Sequence, residues 1–220
     1  CANHSLSGRW DRSSNRPAKP APEARQMLLS RPATVPASAG EHVVWEGAFT
    51  NAELDRIEAY GDSLAKSKAD LSGYRAQYDS IRVTQVAWIE RNPDTAWLYH
   101  RVEEIVLRLN EQFFRYELYA LSESFQYTVY DGAKGGHFDW HKDHGNAQEA
   151  PRKISLSLQL SDEDAYRGCD LEIHGDWRQA APRKRGTLIA FPSFMLHRVT
   201  PIEAGIRKSL VIWAAGPEFR

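Results

Sequence analysis

The chain has 220 residues, enough for one domain with a sizeable core, and its 42% hydrophobic and 26% charged content is that of an ordinary globular protein. A formal net charge of -1 argues against the basic footprint of a nucleic-acid binder and against an acidic tail. No apolar run reaches the roughly 18 residues a membrane span needs, and Cys1 and Cys169 alone cannot build a disulfide framework. With no charged-then-apolar leader pattern either, the expectation is a cytoplasmic protein without a nucleic-acid or membrane partner.

Residues 1–40 are rich in Pro, Ala, Ser and Arg and lack apolar periodicity, so a flexible extension is expected there, with the domain over 41–220. Val43-Val44-Trp45 reads as a short strand. Thr50 with Glu53 forms the capping-box pattern of a helix N-terminus, and Leu54, Ile57 and Leu64 share the face of that helix. A strand is predicted over Ile81–Ile89. A second helix follows Asn92-Pro93, with Leu98, Val102, Ile105 and Leu109 as its apolar stripe. From there the pattern is strand after strand, over 116–121, 124–130, 154–160, 171–174, 187–191, 197–200 and 208–213. In the third of these Ile154, Leu156, Leu158 and Leu160 alternate with polar residues, which predicts one buried face. Two helices before about eight short strands predict an α+β domain with a β-sandwich or jelly-roll core.

Chemistry concentrates in Gly135-Gly-His-Phe-Asp-Trp-His-Lys-Asp-His-Gly145. A His and an Asp two apart on an extended segment point to one side and can grip a metal ion together. A third imidazole from a distant strand completes a three-ligand face with open positions, as in non-haem Fe(II) oxygenases. Two overlapping pairs compete, His137/Asp139 and His141/Asp143, and either is also compatible with a polar loop. His197 supplies the distant imidazole. Arg207, ten residues later, opens the apolar strand Leu210-Val-Ile-Trp213. A guanidinium entering such an interior is costly unless an anion meets it. A dicarboxylate fits, since Arg binds a carboxylate through two parallel hydrogen bonds, and Ser209 faces the same side. The competing explanation for Arg207 is a carboxylate of the protein itself.

Taken together these segments resemble the prolyl 4-hydroxylase-like iron/2-oxoglutarate dioxygenases, including PKHD-type hydroxylases, from roughly Val43 to Trp213. Phe138-Asp-Trp-His-Lys-Asp143 looks like the family's aromatic-x-x-His-x-Asp motif. Ile154–Asp162 with Tyr166–Ile173 looks like its central strand pair. Phe191-Pro-Ser-Phe-Met-Leu-His-Arg-Val-Thr-Pro201 resembles its distal-His strand, and Gly205-Ile-Arg207 its cosubstrate arginine. Gly168-Cys-Asp-Leu171 stands where the family often has Gly-Gly-Glu-Leu. The resemblance implies a double-stranded β-helix core with supporting N-terminal helices. It selects His141, Asp143 and His197 as iron ligands and catalytic residues, because the aromatic Phe138 precedes the first ligand by three. It implies that Arg207 and Tyr130, with Ser209 and Gln126 beside them, bind the cosubstrate.

The implied activity is Fe(II)-, 2-oxoglutarate- and O2-dependent hydroxylation of an unactivated C–H bond, with ascorbate as an optional reductant. The substrate class it suggests is prolyl or amino-acid-like, as a small molecule or a peptide; nothing in the residues sets the oligomeric state. Trp140, Trp177, Phe194 and the loop from Lys142 to Arg152 are candidate entrance residues. The basic stretch Arg178–Arg185 reads as a solvated turn. Two alternatives stand beside this reading: a cupin-like metal enzyme without 2-oxoglutarate, which gives Arg207 no role, and a non-catalytic sensor or binding module on the same fold.

Overall fold

The computed structural model describes residues 42–69, 81–145, 149, 151–175 and 180–218. The extension expected over 1–40 lies outside them, as do Trp177 and the start of the basic stretch. The chain order is β1 (Val43–Trp45), α1 (Asn51–Ser63), β2 (Ser67–Lys68), β3 (Arg82–Val83), β4 (Gln85–Ile89), α2 (Ala96–Leu109), β5 (Phe125–Asp131), β6 (His137–His141), β7 (Arg152–Gln159), β8 (Tyr166–Gly168), β9 (Leu171–Ile173), β10 (Leu188–Pro192), β11 (His197–Val199) and β12 (Ile202–Ala215). A larger sheet runs β1-β10-β7-β12-β5-β4-β2, with β8 on the start of β12, and a smaller one runs β3-β6-β11-β9. All pairs are antiparallel. The larger sheet carries the helices on its outer face. This is the α+β jelly roll, or double-stranded β-helix, expected from the sequence. Among the described residues no helix is long and apolar enough to cross a membrane.

The capping box at α1 forms as read: the Glu53 amide donates to Thr50 Oγ1 at 3.3 Å and the Thr50 amide to Glu53 Oε2 at 2.7 Å. Leu54 and Ile57 then pack onto the outer face of the larger sheet with Leu98, Val102, Ile105 and Leu109 of α2. Gly61 lets α1 lie against the sheet, since a Cβ there would run into the Tyr127 ring. The helix after Asn92-Pro93 begins three residues later than expected, at Ala96, because Asn92 Oδ1 accepts from the amides of Asp94 and Thr95 and holds a turn.

Four strand expectations change. Residues 116–121 form no strand: Asn110 clasps the backbone of Tyr116 through both side-chain atoms at 2.8 Å, and only Ala120 bridges to Ala215. The strand at 81–89 is interrupted at Thr84, so that β3 and β4 serve different sheets. β12 is far longer than 208–213 because Ile202–Gly205, weak in apolar pattern, pairs with β8. In β7 both faces are buried. Ile154, Leu156 and Leu158 join the helix-backed core, whereas Ser155, Ser157 and Gln159 turn into the space between the sheets. The described part of the basic stretch is not merely solvated: Lys184 pairs with Glu46, and Arg185 with Asp55 and Glu58 of α1.

Candidate metal centre and cosubstrate pocket

His141 and His197 are direct cross-strand partners on β6 and β11, with ring centroids 4.1 Å apart. The ladder is irregular just there: Phe138 faces Val199, so three steps on β6 match two on β11. A β-bulge of this kind re-aims side chains. Residues three apart on a regular strand face opposite ways; across the bulge Phe138 and His141 share a face and stack, centroids 3.4 Å apart. Asp143 follows the strand and turns its carboxylate between the imidazoles, 3.8 Å from His141 Nε2 and 3.5 Å from His197 Nε2. One donor atom from each residue lies within 4.8 Å of the others, and these are the only three residues so grouped among those described. His137 and Asp139 are outside the group, and His137 Nδ1 approaches the Gly135 carbonyl instead.

Each imidazole is aimed by its backbone. His141 Nδ1 is 2.7 Å from the Asp139 carbonyl and His197 Nδ1 is 3.0 Å from the Met195 carbonyl. A carbonyl only accepts, so Nδ1 carries the hydrogen in both rings, which leaves Nε2 as the atom that a neutral ring turns to the centre as a ligand. Burial, helped by the neighbouring His197, pushes the His141 imidazole down to about 3, so its neutral, ligating form dominates. Burial opposes the Asp143 charge, but the two imidazoles and the Ser155 hydroxyl hold the carboxyl below its usual range. Two imidazoles with Nε2 toward the centre and one carboxylate on one face fit Fe(II).

The centre opens into a cavity of about 330 Å³ between the sheets, the size of a small-ligand site. All four expected cosubstrate residues line it. Arg207 and Tyr130 are cross-strand partners on β12 and β5, the guanidinium carbon 5.4 Å from the ring centroid. Arg207 is only 1% exposed and has no carboxylate partner among the described residues. Its Nε and Nη2 donate to Gln159 Oε1 at 3.2 and 2.9 Å, and Nη1 is buried with no hydrogen-bond partner. Burial works against its charge, but Cys169, Tyr130 and Tyr166 hold the guanidinium above its usual value. Burial pushes the Tyr130 phenol up to about 12, so it stays a donor. Ser209 pairs with Gln159 across the ladder, and Gln126 donates to Thr128 at 2.9 Å. An orphaned guanidinium N–H at the floor of a cavity fits a carboxylate such as the far end of 2-oxoglutarate.

Gln159, Ser155 and Cys169 escaped the sequence reading as site residues, and Arg152, expected only at the entrance, also reaches the backbone of Asp143. Gln159 and Ser155 look like the wet side of an alternating strand, and only their register with β12 reveals that they face inward. Cys169, at φ 59° and buried, occupies a left-handed position against Arg207. Arg152 donates through Nη1 to the Asp143 carbonyl at 3.2 Å and through Nε to Glu123 at 2.6 Å while covering the Trp213 ring at 3.8 Å. Of the expected entrance residues Lys142 and Arg152 line the cavity; Trp140 instead packs beneath Arg198, and Phe194 is exposed away from it.

Residues 125–215 match the 2OG-Fe(II) oxygenase superfamily. A PKHD-type hydroxylase of Teredinibacter turnerae is 40% identical over 85 residues, covering 36% of this chain and 38% of that protein. One of Synechococcus elongatus is 44% identical over 61 residues, 27% of each chain. The chain thus spans less than two fifths of the length of these curated relatives. A Pseudomonas putida prolyl-4-hydroxylase structure superposes with a TM-score of 0.62 at 20% identity, covering 80% of this chain and 93% of that one. A Trichoplax adhaerens prolyl hydroxylase, in complex with a hypoxia inducible factor peptide fragment, gives 0.64 at 17% identity, covering 80% and 83%. These two likenesses bear on the fold. The likeness to the 2OG-Fe(II) oxygenase superfamily is thus carried by residues 125–215.

Proposed function

We propose that this protein is an Fe(II)- and 2-oxoglutarate-dependent dioxygenase that hydroxylates an unactivated C–H bond of an amino-acid-like or peptide substrate. The observation that carries this reading is the coincidence, in one cavity, of the His141–Asp143–His197 donor set with a buried arginine whose Nη1 lacks a partner. The bound metal would supply oxygen activation coupled to decarboxylation of 2-oxoglutarate. The chain's own residues hold and orient. His141, Asp143 and His197 hold the iron. Arg207 takes the far carboxylate of the cosubstrate on its free N–H edge, with Ser209 as a further donor. Gln159 fixes the guanidinium plane, and Tyr130 and Phe191 wall the cavity against water. The PKHD-type names of the relatives and the peptide bound to the Trichoplax protein support a peptidyl or amino-acid substrate.

Anaerobic titration with Fe(II) and 2-oxoglutarate tests this. A weak visible charge-transfer band is expected in the intact protein and absent in His197→Ala and Arg207→Ala. Under air, succinate should accumulate together with a product 16 Da heavier than its substrate. A protein that binds iron but forms no band would be a metal enzyme of the cupin kind. A band without succinate across a broad panel would make it a binding module.

A further inference from the structure

The cavity contains a second buried arginine that the iron and cosubstrate leave without employment. Arg82, at the start of β3, is 7% exposed and lines the same space. Its guanidinium lies over the Phe138 ring at 4.4 Å, on the ring that stacks against His141. Nε donates to Thr84 Oγ1 at 2.8 Å, which fixes the plane of the group. Neither Nη1 nor Nη2 has a hydrogen bond or an ion pair to a described residue. The titratable groups that face Arg82 are the uncharged Tyr130 phenol, the His141 imidazole and the Asp143 carboxylate, and the carboxylate is beyond ion-pairing distance. Asp143 is in any case committed between the two imidazoles.

Burying an arginine without a carboxylate is costly, because the lost hydration of the guanidinium is not replaced. Such a cost persists where a ligand supplies the missing anion. Arg207 already accounts for one anion. The cavity's charge count asks for another: Arg82, Lys142, Arg152 and Arg207 line it against Asp143 and Glu149, and with Glu123 paired to Arg152 a positive charge is still in excess, although the whole chain has a formal charge of -1. Ferrous iron and 2-oxoglutarate bring equal and opposite charges, so the positive excess survives when both are bound.

We propose that Arg82 is a specificity-determining residue that binds a carboxylate of the substrate, so that the substrate is an acid rather than its neutral amide or ester. The proposal rests on the dioxygenase reading and refines its substrate class. Arg82 holds its free edge toward the cavity through Thr84 and Phe138, and the same Phe138 ring abuts the metal ligand His141. A carboxylate bound there is therefore anchored next to the metal centre, with the rest of the substrate directed along the cavity.

The test uses the full chain with Fe(II) and 2-oxoglutarate under argon. Free and N-acetylated amino acids are each offered as the carboxylate and as the primary amide. Binding is followed by tryptophan fluorescence, since Trp88 and Trp213 line the cavity, and turnover is followed as succinate after oxygen is admitted. Carboxylates should bind at least about tenfold more tightly than their amides, as a charge-assisted pair warrants. Arg82→Gln should reduce that ratio below about twofold, and Arg82→Lys, which keeps the charge but not the fork, should leave an intermediate ratio. If Arg82→Gln does not fold, the lysine variant carries the comparison.

Equal affinity for acid and amide overturns the proposal, as does a failure of every carboxylate to bind to protein that forms the charge-transfer band. So does an Arg82→Gln variant that loses 2-oxoglutarate affinity but keeps its acid preference, which would assign Arg82 to the cosubstrate. If the wild-type protein forms no band and binds no 2-oxoglutarate, it is the dioxygenase reading that fails. The fluorescence ratio in the iron-free protein then still decides for or against Arg82.

Discussion

His141 and His197 face each other across the β6–β11 ladder with their Nδ1 atoms tied to backbone carbonyls and their Nε2 atoms turned to the Asp143 carboxylate. Both imidazoles are thus held by main chain on two paired strands, and Asp143 by the segment that directly follows β6. That arrangement fixes the geometry of the centre before a metal arrives.

Removing His141, Asp143 or His197 should therefore abolish tight iron binding. Loss of an outer hydrogen-bond partner alone typically lowers metal affinity about 10- to 100-fold, and loss of a ligand should exceed that. Iron content after desalting is the measurement. His137→Ala should keep the wild-type stoichiometry; loss in His137→Ala with retention in His141→Ala would reverse the assignment.

Arg207→Leu separates function from stability. It removes a buried charge that has no carboxylate partner, so the ligand-free protein should melt at the same temperature or higher. The stabilisation that 2-oxoglutarate confers on the iron-loaded protein, which follows from mass action, should vanish. Calorimetry with and without cosubstrate reads both effects.

Arg152 connects Glu123 to the backbone of Asp143. Arg152→Met and Glu123→Gln should each weaken iron binding about 10- to 100-fold, as for other outer contacts of metal sites. An unchanged dissociation constant in both would reduce the pair to a scaffold role.

Acid stability should depend on Asp62. Burial raises its carboxyl, but hydrogen bonds from Lys208 and Tyr127 outweigh that and hold it below 3.8. A carboxyl depressed in the folded state contributes stability above its unfolded value, and the contribution is lost as the pH falls through the folded one. Wild-type protein should lose stability below about pH 4 more steeply than Asp62→Asn, whose Lys208 keeps only Glu58. Urea denaturation midpoints between pH 3 and 7 would show the difference.

Gly61→Ala should destabilise by about 1–3 kcal/mol, because the added methyl meets the Tyr127 ring under α1. A Tyr127→Leu background should recover part of the loss, and a thermal melt of the double variant checks the coupling.

Much of the fold can be read along the chain because its signals are local. The Thr50–Glu53 capping box, the apolar stripe of α2 and the alternation of β7 each follow from neighbours a few residues apart. The candidate site was legible as an ordered set of His-x-Asp, distal His and Arg, and the choice of His141 over His137 leaned on the aromatic spacing to Phe138. What lay beyond the sequence depends on side-chain and cross-strand partners that no local pattern announces. The strand expected at 116–121 failed because the Asn110 side chain takes the Tyr116 backbone.

By itself, then, the sequence determined the class of fold, the residue types of the candidate metal centre and the presence of a costly interior arginine. Tertiary structure decided which atoms converge. The bulge between β6 and β11 sets Phe138 and His141 on one face and leaves His137 outside the group. The pairing of β7 with β12 turns the polar face of β7 inward and brings Gln159 to Arg207. The break at Thr84 sends β3 to the smaller sheet and puts Arg82 in the cavity. In each case the reason is the same: a strand's periodicity of two tells which residues share a face, but only its registered neighbours tell what that face meets.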